Sequence, residues 1–166
     1  MVGLIYCGEN QKGGEVAQLW QAFDKREPSV PNQPKGICPV TYGVCFNDNR
    51  AIAPRFCYVA SVEVESLEDI LMDMVGKTLP ANTYAVFTHR GSLTKLGLTC
   101  QYIYGKWLPN SDYVLAGEYD FEHYDQRFQG TDNENTEFDI YVPVKATGSA
   151  GARRWPDGQR QRSPSL

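Results

Sequence analysis

The chain has 166 residues, of which 42% are hydrophobic, 22% charged and 12% aromatic, a composition that suits one globular domain with a sizeable core. It excludes disorder throughout, and no apolar run approaches the roughly 20 residues of a spanning helix. A formal net charge of −4 makes the folded body a poor partner for nucleic acid or an anionic membrane.

In chain order, Val2–Cys7 reads as a short apolar strand. Val16, Leu19, Trp20 and Phe23 then recur at helical spacing. Prolines and Gly36 make a loop over 28–36, and strands follow at Val40–Phe46 and Phe56–Glu65. In the second of these, Tyr58, Ala60 and Val62 fall on one face and Cys57, Val59 and Ser61 on the other. Ser66–Leu79 is ambiguous: Leu67, Ile70, Leu71 and Met74 suit a short helix that Gly76 would end. The pattern then repeats. A strand at Thr83–Arg90 precedes a helix that Ser92 caps and Pro109 stops, carrying Leu93, Leu96, Cys100, Ile103, Tyr104 and Trp107. Strands at Asp120–Asp125 and Glu137–Val144 close the series.

The order is β-α-β-β twice, which predicts an α+β fold. Two tandem βαββ units form one mostly antiparallel sheet, with both helices on one face. The natural small-molecule site is the cleft at the pseudo-twofold, where the halves meet. Residues 1–145 make this domain. Residues 146–166 hold four arginines against one aspartate, a net of +3 that leaves −7 for the rest. With Trp155 as its one large apolar group, this basic tail reads as disordered.

The five cysteines, Cys7, Cys38, Cys45, Cys57 and Cys100, form no CxxC and no zinc spacing. Reduced thiols, a cytoplasmic protein and no metal or cofactor are expected. The N-terminus lacks the basic start of a secretory signal. His89 and His123 stand near no nucleophile motif, and no phosphate-binding glycine loop is present. A buried core thiol is the stronger reading of Cys100.

The richest stretch is Glu118-Tyr119-Asp120-Phe121-Glu122-His123-Tyr124-Asp125. On a strand, Glu118, Asp120, Glu122 and Tyr124 share one face. An acid of that face turned toward the helices sits among aromatics with no base beside it, and either rises in pKa or waits for a cation. Parity alone leaves open which acid that is.

Five segments in order resemble the GyrI-like (gyrase-inhibitor-like) small-molecule-binding superfamily, the effector-binding domain of AraC-type regulators. They are Gln18–Phe23, Pro80–Phe87, Trp107–Tyr113, Asp120–Tyr124 and Asp139–Val144. The family fold agrees with the repeat above. The resemblance implies a free-standing member of a kind that integron cassettes also encode. It also implies a binding module for hydrophobic cationic small molecules, walled by aromatics, with a buried glutamate as counter-ion. By its place in Phe-Glu-x-Tyr that glutamate is Glu122, with Tyr124 after it and Trp107, Tyr104, Trp20 and Tyr141 near the cleft. No helix-turn-helix fits, so a DNA-binding regulator would be a separate chain. His123 and Cys100 depart from the family pattern, and an extra helix at Ser66–Lys77 over the cleft would change ligand size or lid behaviour. Two other readings stand beside this one. In the first, the chain is a small-molecule hydrolase in which Glu122 acts as general base on water and Tyr124 or Tyr141 orients the substrate. In the second, the chain is a protein-binding inhibitor of the gyrase-inhibitor type.

Overall fold

The structure, a computed structural model, describes residues 1–8, 14–36, 38–48 and 55–148. Strand β1 (Val2–Gly8), helix α1 (Gly14–Asp24), β2 (Thr41–Asp48) and β3 (Arg55–Val62) form the first half. A two-residue strand β4 (Val75–Gly76) follows. The second half is β5 (Tyr84–Arg90), helix α2 (Leu96–Tyr102), a short β6 (Tyr113–Leu115), β7 (Tyr119–Tyr124) and β8 (Glu137–Ala146).

The strands make one antiparallel sheet in the order β4-β1-β3-β2-β7-β8-β5, with β6 added on β8. In each half the third strand of the βαββ unit lies between the other two, so the halves mirror one another across the β2–β7 seam. There Gly43 pairs with Glu122 and Cys45 with Asp120. The α+β architecture and the tandem repeat follow the sequence closely.

Two clusters fill the space between sheet and helices. Phe23 of α1 packs on Val2, Tyr58, Ala60 and Val62. Ile103, just past α2, packs on Phe87, Tyr124, Phe138, Ile140 and Val142. Trp20 lies against both clusters and ties the halves together. The outer face carries a third cluster, Val44, Val59 and Phe121, rimmed by Tyr42, Tyr84, Tyr119 and Tyr141. Because both faces are covered, β3 is buried from Cys57 through Val62.

Four differences from the sequence reading have local causes. Segment 66–77 is not a helix: Asp69 takes φ 59°, a left-handed conformation that breaks a helix. Its apolar residues still bury, with Met74, Ile70 and Leu71 in the first core. It runs by β4 at the sheet edge, and its Ser66, Leu67 and Lys77 line a recess of the outer face with Tyr42, Phe121 and His123, on the side of the sheet opposite Glu122. Ser92 caps as predicted, its side chain accepting from the Thr94 N–H, but what it caps is a 3-10 turn at Leu93–Lys95 that leads into α2. Past Tyr102, however, it widens into a π turn at Ile103–Trp107.

The expectation of five reduced thiols is corrected. Cys7 and Cys57, directly opposed on β1 and β3, form a disulfide, and Cys38, Cys45 and Cys100 are free. Finally, β8 runs to Ala146, and Thr147 donates its N–H to the Asp112 carbonyl, so regular structure passes the expected boundary at 145. The disorder expected of the tail falls on 149–166, outside the described residues. Among the described residues no helix is long and apolar enough to cross a membrane.

Candidate functional site

At the seam, β2 contributes a glycine between the Tyr58 side chain of β3 and the Glu122 side chain of β7. Gly43 pairs with Ala60 of β3 on one side and Glu122 of β7 on the other. A Cβ at Gly43 would overlap both the Tyr58 hydroxyl and the Glu122 carboxylate. The glycine therefore leaves the gap through which Tyr58 and Glu122 meet across an intervening strand.

The Tyr58 hydroxyl donates to Glu122 Oε2 at 2.5 Å, and the Tyr124 hydroxyl donates to the same oxygen at 2.8 Å. Trp20 Nε1 in turn donates to the Tyr58 oxygen at 3.1 Å. Trp20 packs edge-on against both Tyr58 and Tyr124, at centroid distances of 6.4 and 5.4 Å. One strand repeat along, the Tyr104 hydroxyl donates to Asp120 Oδ2. Two carboxylates thus sit side by side beneath the helices, each held by neutral donors.

None of the ion pairs among the described residues involves Glu122 or Asp120. Burial pushes the Glu122 carboxyl up to about 7. The Tyr58 and Tyr124 hydrogen bonds pull against that rise, and the Asp120 charge adds to it. Burial also raises Asp120, while its bond from Tyr104 lowers it. Tyr58 and Tyr124 are held well above the ordinary phenol value, by burial first and then by the Glu122 charge. They remain donors throughout the accessible pH range. An unpaired buried carboxylate costs several kcal/mol, and two hydrogen bonds to its charged form, at about 1.5–3 kcal/mol each, offset part of that.

Two free thiols border the acids. Burial pushes Cys100 up to about 11 and Cys45 higher still, with Asp120 and Glu122 adding to both. Both stay protonated near neutrality, so neither is an activated nucleophile. His89 is no partner for Cys100: its ring nitrogens face Thr99 Oγ1 at 2.8 Å and the Ser92 carbonyl at 3.3 Å.

Of the residues singled out from sequence, Glu122, Tyr124, Trp20 and Tyr104 come together here. Two do not. Tyr141 is corrected to the outer face of the sheet, where it stacks on Phe121 at 4.7 Å. Its register partner on β7 is Phe121, one residue out of phase with Glu122. Trp107 lies over the sheet edge, 4.9 Å from Phe87 and 6.1 Å from Tyr113. It lines a separate recess of about 850 Å³ along β5. That recess is larger than the one beside Asp120, but its charged lining residues, Lys106 and Asp112, are both exposed. It therefore lacks the desolvation that makes a charge selective. Tyr58 and Gly43 were missed. A glycine inside an apolar strand is itself a sign of close approach, and Tyr58 shares the inward parity of Ala60 and Val62.

This chain is similar in sequence or fold to several known proteins. It is 35% identical to the transcriptional regulator BrlR of Pseudomonas aeruginosa over 144 residues, 87% of this chain and 51% of that protein. It thus spans about half the length of BrlR. SAV2435, solved with tetraphenylphosphonium bound, shares the fold at a TM-score of 0.64 and 19% identity, over 87% of each chain. An integron cassette protein of Vibrio cholerae shares it at a TM-score of 0.58 and 15% identity, over 87% of this chain and 88% of that one. The model of the GyrI-like small molecule binding domain matches residues 5–145. With the tandem repeat already in place, that match makes this chain a member of the GyrI-like small-molecule-binding family.

Proposed function

We propose that the seam cleft binds hydrophobic cationic small molecules, with Glu122 as the counter-ion. The observation that carries this is a half-buried carboxylate, bonded only by neutral donors, among aromatic rings. A lipophilic cation replaces lost solvation with a Coulombic partner, and the rings of Trp20 and Tyr124 add about 0.5–2 kcal/mol per face. An anion of the same shape meets the same walls with its charge opposed. The SAV2435 complex supports this choice of ligand class by likeness of fold. We take the described unit as the ligand-binding module.

In this reading ligand occupancy is passed to a DNA-binding regulator. BrlR supports that by its name and its greater length. A cytoplasmic setting belongs to the same reading, and there reducing conditions would tend to open the Cys7–Cys57 bond. The hydrolase alternative is weaker on geometry. The Tyr58 and Tyr124 hydroxyls that could steady a developing oxyanion already bond Glu122 itself.

The test is a pair of titrations followed by tryptophan quenching, with tetraphenylphosphonium and with tetraphenylborate, its anionic counterpart. Saturable micromolar binding of the cation and at least tenfold weaker binding of the anion are expected. Equal affinity for both ions would remove the counter-ion role.

A further inference from the structure

We propose that Asp120 is a second charge-recognising group of this cleft, so that the cleft prefers dications whose positive centres lie one strand repeat apart. This rests on the cation-binding reading above and names the ligand class more narrowly. Asp120 and Glu122 share the inward face of β7, two residues apart, which separates them by about 6–7 Å along the strand.

Every element packed against the pair presents neutral groups. From β2 come Gly43 and Cys45, from β3 Tyr58, from α1 Trp20, from α2 Cys100 and from the π turn Tyr104. A monocation seated on Glu122 leaves Asp120 with its bond from Tyr104 but no cationic partner. There is room for the second centre. Asp120 lines a recess of about 440 Å³ with Cys45, Phe46, Tyr104 and Tyr119. That volume is in the range of small-molecule sites, and its aromatic walls suit a quaternary or amidinium head. Glu118 also lines the recess but is exposed, so it is screened by water and contributes little.

The experiment compares para-xylylene-bis(trimethylammonium) with (4-methylbenzyl)trimethylammonium, which share one ring and differ in one charge. Wild-type protein is expected to bind the dication at least about tenfold more tightly. Asp120→Asn should abolish the preference, so that the variant binds the dication no more tightly than it binds the monocation, and Asp120→Glu should restore the preference. Equal binding of the two ions by wild type overturns the proposal, whatever the fate of the variants. So does a preference that survives Asp120→Asn with a native circular dichroism spectrum. Failure of the underlying reading looks different: neither ion binds, or Glu122→Gln leaves the monocation's affinity unchanged.

Discussion

Glu122→Gln is expected to lower affinity for tetraphenylphosphonium by ten- to a hundredfold, roughly 1.4–2.8 kcal/mol, and to leave the fold intact. Glutamine keeps an oxygen to accept from Tyr58 and Tyr124 but carries no charge. The loss therefore reports the ion pair rather than the shape of the cleft.

The same substitution changes how stability depends on pH, and the direction is diagnostic. The folded Glu122 carboxyl titrates near 7, above its ordinary value of 4.5. Between these values the folded state holds a proton that the unfolded state has released. Stability of the ligand-free protein therefore falls as pH rises through that window, by at most about 3 kcal/mol. Glutamine has no proton to lose, so this part of the slope disappears, and above pH 7 the variant is the more stable protein. Thermal unfolding at pH 5 and pH 8 measures it. A variant less stable than wild type at pH 8 would show that Glu122 is held by partners that already satisfy its charge.

Gly43→Val is expected to cost about 2–3 kcal/mol of stability and more than tenfold in cation affinity. The added Cβ occupies the space where the Tyr58 hydroxyl meets Glu122. Either Tyr58 turns away and leaves Trp20 Nε1 without its acceptor, or β2 shifts against β7 and β3. Both outcomes expose the carboxylate and loosen the ring of Trp20. A milder pair separates the causes. If the overlap with the hydroxyl dominates, Gly43→Ala combined with Tyr58→Phe costs less than the sum of the two single changes. Strict additivity in chemical denaturation would place the strain elsewhere on β2.

The halves of the fold were legible because each carries its own signals: a helical stripe at Val16–Phe23, another from Leu93, and strands bounded by turn residues. Glu122 and Tyr124 share the inward parity of β7, but the choice of Glu122 over Asp120 came from the family resemblance rather than the pattern. Tyr141 was misplaced although its parity was available. Phe138, Ile140, Val142 and Val144 are buried against the helices, and Tyr141 shares the opposite parity with Asp139. Trp107 was misplaced for a reason that spacing cannot reveal. The π turn at Ile103–Trp107 breaks the 3.6-residue register. Tyr104 is left over Asp120, and Trp107 is carried to the edge strand.

Segment 66–77 has helical spacing, yet one left-handed residue overrides it. Strand β6 is three residues long, with Val114 and Leu115 exposed, so no alternation marked it. The Tyr58–Glu122 bond joins residues 64 positions apart. No local pattern reports such a contact, and the mid-strand Gly43 is the one trace it leaves in the sequence.

The central claim is that a cation pairs with a carboxylate that is partly protonated in the empty protein. Calorimetric titration with tetraphenylphosphonium at pH 7, in two buffers of different ionisation enthalpy, counts the protons released on binding. For a carboxyl titrating near 7, wild type should release about half a proton per cation bound, and Glu122→Gln should release none. Binding heats that are independent of buffer in wild type, or proton release that persists in Glu122→Gln, would contradict the account.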